Sequence, residues 1–224
     1  METTDKLFFT EKDENGKTRV SAVINPETRW KYLLLSFFLA FSLNGLKNVA
    51  HELSHAAMIL ILGGKISAIS IQFDVGYVSW VENTVPPSDF SLIYIAGIIG
   101  EFIFFYIPGI VIFKHNRNHV LVAMVGYWMI MLYLLSLFYW CGGSYYPLFQ
   151  YYDSIGFSNG IGVNPGLIGA ISLFPLVVAI WFSIRCTKTF RKRFLHDDDK
   201  IHIFTTIIVY FLILLLLKMI LPQV

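Results

Sequence analysis

Charge is what this chain has least of. Asp, Glu, Lys and Arg make up 14% of its 224 residues, while hydrophobic residues make up 56%. A soluble domain of this length needs far more polar surface. With a mean hydropathy of +0.62, the composition excludes an ordinary soluble protein and points to a chain that crosses a membrane several times. The net charge is only +2, too small for a surface built to hold nucleic acid. Cysteine is nearly absent. Cys141 and Cys186 flank different apolar stretches and are expected at opposite membrane faces, so no disulfide is expected. No cleavable leader is expected either, because residues 1–29 are polar and charged. No internal repeat, low-complexity tract or second soluble domain is evident.

What the chain does have is long apolar runs. Helices are expected over about residues 30–62, 91–113, 119–140, 165–182 and 202–221. Gly63-Gly64 stops the first, Pro108-Gly109 is expected to kink the second, and Asn164-Pro165 caps and opens the fourth. Between the first two helices the pattern changes. Ile69, Ile71, Phe73, Val75 and Tyr77 alternate with Ser70, Gln72, Asp74 and Gly76, a period of two that predicts a strand or hairpin over 66–80. Residues 142–163 are rich in Gly and Tyr and too polar to span, and a basic loop is expected after 182. The expected fold is therefore an all-α polytopic membrane protein with about five transmembrane helices and a small β-hairpin between helices 1 and 2. Residues 1–29 form a polar N-terminal tail, and 30–224 a single membrane-embedded domain.

Within the first apolar stretch stands His51-Glu52-Leu53-Ser54-His55. Residues four apart lie on one helical face, so both imidazoles project together. Two neutral imidazoles at that spacing can grip one zinc ion (Zn2+), and the adjacent Glu can act as a base toward water. Ionisable groups at membrane depth are costly and mark a functional site by default. The competing explanation is a set of polar side chains satisfied by neighbouring helices.

A catalytic zinc site takes three protein ligands, so one more is needed. Asp153, in the polar 142–163 connection, is the best candidate. Glu101 is the rival. It stands about 15 Å into its helix, and His55 about 12 Å from the end of helix 1, at 1.5 Å per residue. At those matching depths Glu101 can bind the metal, orient a ligating His, or serve only as a hydrogen-bonded link between helices. His115, His119, His196 and His202 sit at helix ends and loops and are read as interfacial.

HELSHA on a membrane helix, then LGGKI, then a short β segment, then AGIIGEF on the next helix resembles the site-2 protease family of intramembrane zinc metalloproteases. The likeness covers roughly residues 30–185. Ala96-Gly97 matches the family's Ala-Gly-Pro segment with Ile98 in place of proline. Asp153 is followed by Ser-Ile-Gly and lacks the family's LDG-type motif. The resemblance implies hydrolysis of peptide bonds in membrane-anchored protein substrates. It implies His51, His55 and Asp153 as metal ligands and Glu52 as the catalytic base, in a minimal core without an accessory domain. The 66–80 strand is a candidate to receive an extended substrate by strand addition. A divalent-metal transporter and a non-catalytic membrane module are the alternatives.

Basic residues concentrate on one side. Residues 1–31, the 114–118 loop and the 185–200 stretch carry 14 of the 17 Lys and Arg residues. The positive-inside rule then places the N-terminus in the cytoplasm and the metal site nearer the opposite face. The family usually places its site nearer the cytoplasm.

Overall fold

Long apolar runs separated by glycine, proline and asparagine dictate a chain of long helices joined by short turns. The structure, a computed structural model, describes residues 8–12, 15–16, 18–22, 28–71, 76–116, 119–145, 153–194, 205–209 and 212. In order they form β1 (Phe8–Lys12), β2 (Thr18–Ala22), α1 (Arg29–Ile61), β3 (Ile66–Ile71), β4 (Gly76–Trp80), α2 (Phe90–Glu101), a π-helical turn (Phe102–Tyr106), α3 (Ile107–His115), α4 (Val120–Gly143), α5 (Asp153–Gly160) and α6 (Pro165–Phe194). Among the described residues, four helical stretches are long and apolar enough to cross a membrane: Trp30–Ile61, Pro87–His115, Val120–Gly143 and Pro165–Phe194. Phe174 is 77% and Ile61 75% exposed on such helices, as side chains facing lipid would be. The fifth expected helix, over 202–221, lies mostly outside the described residues; 205–209 and 212 are helical.

Local chemistry explains the element ends. Gly63, at φ +80°, takes the left-handed conformation that closes α1. The Gly64 N–H donates to Ile59 O at 2.8 Å and the Gly63 N–H to Leu60 O at 3.0 Å, the paired bonds of a Schellman motif. The expected disturbance at Pro108 takes the form of the π-helical turn just before it. Proline cannot donate and its ring crowds the carbonyl four residues back, so a widened turn relieves both problems. Asn164 Oδ1 accepts from the Gly166 N–H at 2.8 Å and starts α6 as expected. That helix continues well past residue 182, to Phe194, so residues 183–194, expected as the start of a basic loop, are helix. Arg191, Lys192 and Arg193 fall in its last turn, where cations suit the helix dipole.

The polar N-terminal segment contains a hairpin. β1 and β2 pair antiparallel, Phe8 opposite Ala22, and Gly16 of the intervening Asn15-Gly16 is at φ +73°. Asn-Gly between two strand-forming runs is the signal for such a turn. β3 and β4 also pair antiparallel, Ile71 opposite Gly76, with an irregularity between Ile66 and Ala68. This is the hairpin expected between helices 1 and 2. Residues 72–75, between the two strands, lie outside the described residues.

The chain divides into two compact units. One comprises Met1–Leu43, Gly109–Met129 and Ile184–Val224. There Phe190 packs on Tyr127 at a ring-centroid distance of 5.3 Å, and on Phe194 at 5.1 Å. Tyr127 Oη lies 3.0 Å from Thr206 Oγ1 and 3.3 Å from Thr187 Oγ1. The other comprises Asn44–Pro108 and Ile130–Ser183. In it Ile59, Val85 and Ile93 form a buried core, with Leu62, Ile66, Val78, Trp80 and Phe90 packed against it. This core ties the end of α1 to the hairpin and to the start of α2. α5 lies close on α2 because its glycines permit it. A Cβ at Gly156 would stand 2.6 Å from the Tyr94 ring, and one at Gly160 2.9 Å from Ser91.

Candidate metal centre

α1 carries His51, Glu52 and His55 into the second unit, α2 supplies the opposing wall, and α5 brings Asp153 at its first residue. The negative side chain suits a helix N-terminus. Three atoms converge. His51 Nε2 lies 2.8 Å from Asp153 Oδ2, His55 Nε2 lies 3.2 Å from the same oxygen, and the two Nε2 atoms are 3.0 Å apart. His51, His55 and Asp153 form a group able to hold a metal ion.

The outer faces of the imidazoles decide what the inner faces offer. His55 Nδ1 lies 2.6 Å from the backbone oxygen of Ile93. A carbonyl can only accept, so this nitrogen donates. His51 Nδ1 lies 2.8 Å from Glu101 Oε1 and donates to that carboxylate in the same way. In neutral rings both Nε2 atoms then present lone pairs to each other. Burial alone would raise the pKa of the Asp153 carboxyl. Its contacts with His51 and His55 more than reverse that and hold it below the usual carboxylate range. Two lone pairs and a negative oxygen this close require a positive charge among them, an extra proton or a metal cation.

The donor set suits a metal. Two imidazole nitrogens and a carboxylate oxygen are a catalytic zinc ligand set. Donors around a tetrahedral zinc stand roughly 3.3 Å apart at ordinary bond lengths, so the group needs to open by only a few tenths of an ångström.

Glu101 sits elsewhere in the same assembly. It meets the Nδ1 atom of His51, on the far side of the ring from the converging atoms. From there it fixes the ring's orientation. Glu52 is 5% exposed and interacts electrostatically with both imidazoles. Gly76 at the start of β4 lies directly against it, where a Cβ would overlap the Glu52 side chain. His115 is exposed and bonds back to Val111 O at 3.0 Å, and His119 is exposed. His196 and His202 lie outside the described residues.

The structure adds residues that pattern reading passed over as chemistry. A Cβ at Gly97 would stand 2.5 Å from both His51 Cε1 and His55 Nε2, so only glycine lets α2 approach the rings this closely. Gly100 does the same for Ser54, whose hydroxyl donates to Ala50 O at 2.6 Å. The spacing of small residues at 97 and 100 was a visible signal. The backbone carbonyl of Ile93 left none.

Residues 22–152 match the family described as Peptidase M50B-like. The chain belongs to that family of peptidases. The M50B-like match spans more than half of the chain, contains His51, Glu52, His55 and Glu101, and stops one residue short of Asp153. It agrees with the site-2 protease resemblance carried by HELSHA. A membrane peptidase family and four apolar helices together describe an integral membrane protein. No match to this chain was found among curated proteins or among solved structures.

Proposed function

We propose that this protein is an intramembrane zinc metalloprotease that hydrolyses peptide bonds of membrane-anchored protein substrates. The convergence of His51, His55 and Asp153 beside Glu52 carries this reading. His51, His55 and Asp153 hold the metal. When bound, zinc supplies Lewis acidity, polarising a carbonyl and easing removal of a proton from water. Glu52 takes the proton from the attacking water and later passes it to the leaving amine. Glu101 and the Ile93 carbonyl keep the imidazoles turned inward. A helical substrate hides its peptide bonds and must be extended before attack, and the β3–β4 hairpin can pair with such a segment. The substrates are membrane proteins, the surrounding solvent is the lipid bilayer, and nucleic acid plays no part. The distribution of basic residues supports a cytoplasmic N-terminus.

Glu52→Gln tests the reading. Cleavage of membrane-anchored peptides in proteoliposomes should fall by at least about 10²-fold, as for loss of a general base, while zinc content stays at the wild-type level. Retained cleavage would remove Glu52 from its role. Zinc flux into the same liposomes would instead favour a transporter.

A further inference from the structure

Lys47 is a buried lysine, 6% exposed. It stands one helical turn before His51 on α1, so the two side chains share a face. Its Nζ donates to Ser136 Oγ on α4 at 2.8 Å. Both Ser136 and the Lys47 ammonium interact favourably with the Glu101 carboxylate. Glu101 Oε1 meets His51 Nδ1, while the buried Oε2 has no partner within hydrogen-bond distance among the described residues. Two buried hydrogen bonds, Lys47–Ser136 and Glu101–His51, are thus joined into one line by attraction between the Lys47 ammonium and the Glu101 carboxylate.

Charge balance explains why a cation belongs there. A doubly positive metal at this site would be neutralised by Asp153 and Glu52. Glu101 then leaves one negative charge away from water, and Lys47 is the cation that cancels it. An uncompensated buried carboxylate is strongly unfavourable. It would turn away from His51, and that change alters how Nε2 presents itself. We propose that Lys47, acting through Ser136 and Glu101, is a positioning residue that holds the His51 imidazole in the donor group, an inference that rests on the metalloprotease reading.

The test uses the full chain in lipid nanodiscs with zinc as the probe. In a chelator competition, Lys47→Met should bind zinc about 10–100-fold more weakly, the usual effect of removing a group that steadies a ligand. Lys47→Arg, which keeps the charge, should recover most of that loss. The double variant Lys47→Met/Glu101→Gln should bind no more weakly than Glu101→Gln alone, because both act on one line. Melting temperatures of the metal-free proteins complete the cycle. Lys47→Met should melt lower than wild type, and the double variant should regain much of the difference, since the unpaired charge is gone. Wild-type zinc affinity in Lys47→Met, or additive losses across the cycle, would overturn the proposal. If the unaltered protein binds no zinc, the metalloprotease reading falls and the role toward His51 falls with it. The metal-free cycle would still report whether Lys47 and Glu101 are coupled.

Discussion

In the unit built from Met1–Leu43, Gly109–Met129 and Ile184–Val224, the buried polar residues among those described are Thr28, Ser36 and Thr205, all uncharged. The unit built from Asn44–Pro108 and Ile130–Ser183 buries Lys47, Glu52, His55 and Glu101. The first unit fills its interior with rings, such as Phe113, Tyr127, Phe190 and Phe194. The second carries charges that a stability argument alone would remove, since apolar replacements of buried ion pairs are often neutral or stabilising. The same helices contribute to both units, so the difference does not come from element type. It teaches that the cost of burial is concentrated where chemistry needs it.

The comparison breaks most sharply at the donor group. Asp153→Ala should abolish stoichiometric zinc in the purified protein, measured by elemental analysis, and cleavage should vanish with it. Next comes Phe190→Ala, which removes a fully buried ring touching Phe113, Tyr127 and Phe194. Unfolding should show a loss of about 3–5 kcal/mol, with zinc content per folded molecule unchanged. Gly97→Ala should do the reverse. Its new methyl meets two imidazoles, so zinc affinity should drop about 10–100-fold, as expected for a displaced ligand shell, with a smaller effect on unfolding. Gly142→Ala, where nothing lies within 4 Å, is the control and should leave zinc affinity unaltered. The smallest effect is expected from Tyr127→Phe, which gives up hydroxyl contacts to Thr187 and Thr206. Unfolding should report a loss of about 1 kcal/mol.

Much of the site was legible because its signals are local. His51 and His55 announce themselves by a spacing that matches the helical period, and the apolar run around them sets their depth. Lys47 was passed over, although a cation one turn before His51 in an apolar run was a visible signal. α5 was not legible. Its sequence, DSIGFSNG, contains glycine and small polar residues that favour turns. It is helical where those same glycines let it rest against Tyr94 and Ser91. The length of α6 was also missed, because a change from apolar to basic residues marks a change of surroundings and not the end of a helix.

Composition and periodicity by themselves determined that this chain enters a membrane, that it does so as helices, and that one helix offers two imidazoles and a carboxylate on adjacent turns. Those properties follow from solvation and from the 3.6-residue repeat, which any stretch of chain expresses on its own. The third donor was a choice between Asp153 and Glu101 that spacing could not make. Tertiary packing decided where each stands: Asp153 against both Nε2 atoms, and Glu101 behind His51 with Lys47 for company. The contacts involved join residues about 50 to 100 positions apart, and only helices brought together through glycine could bring those atoms within reach.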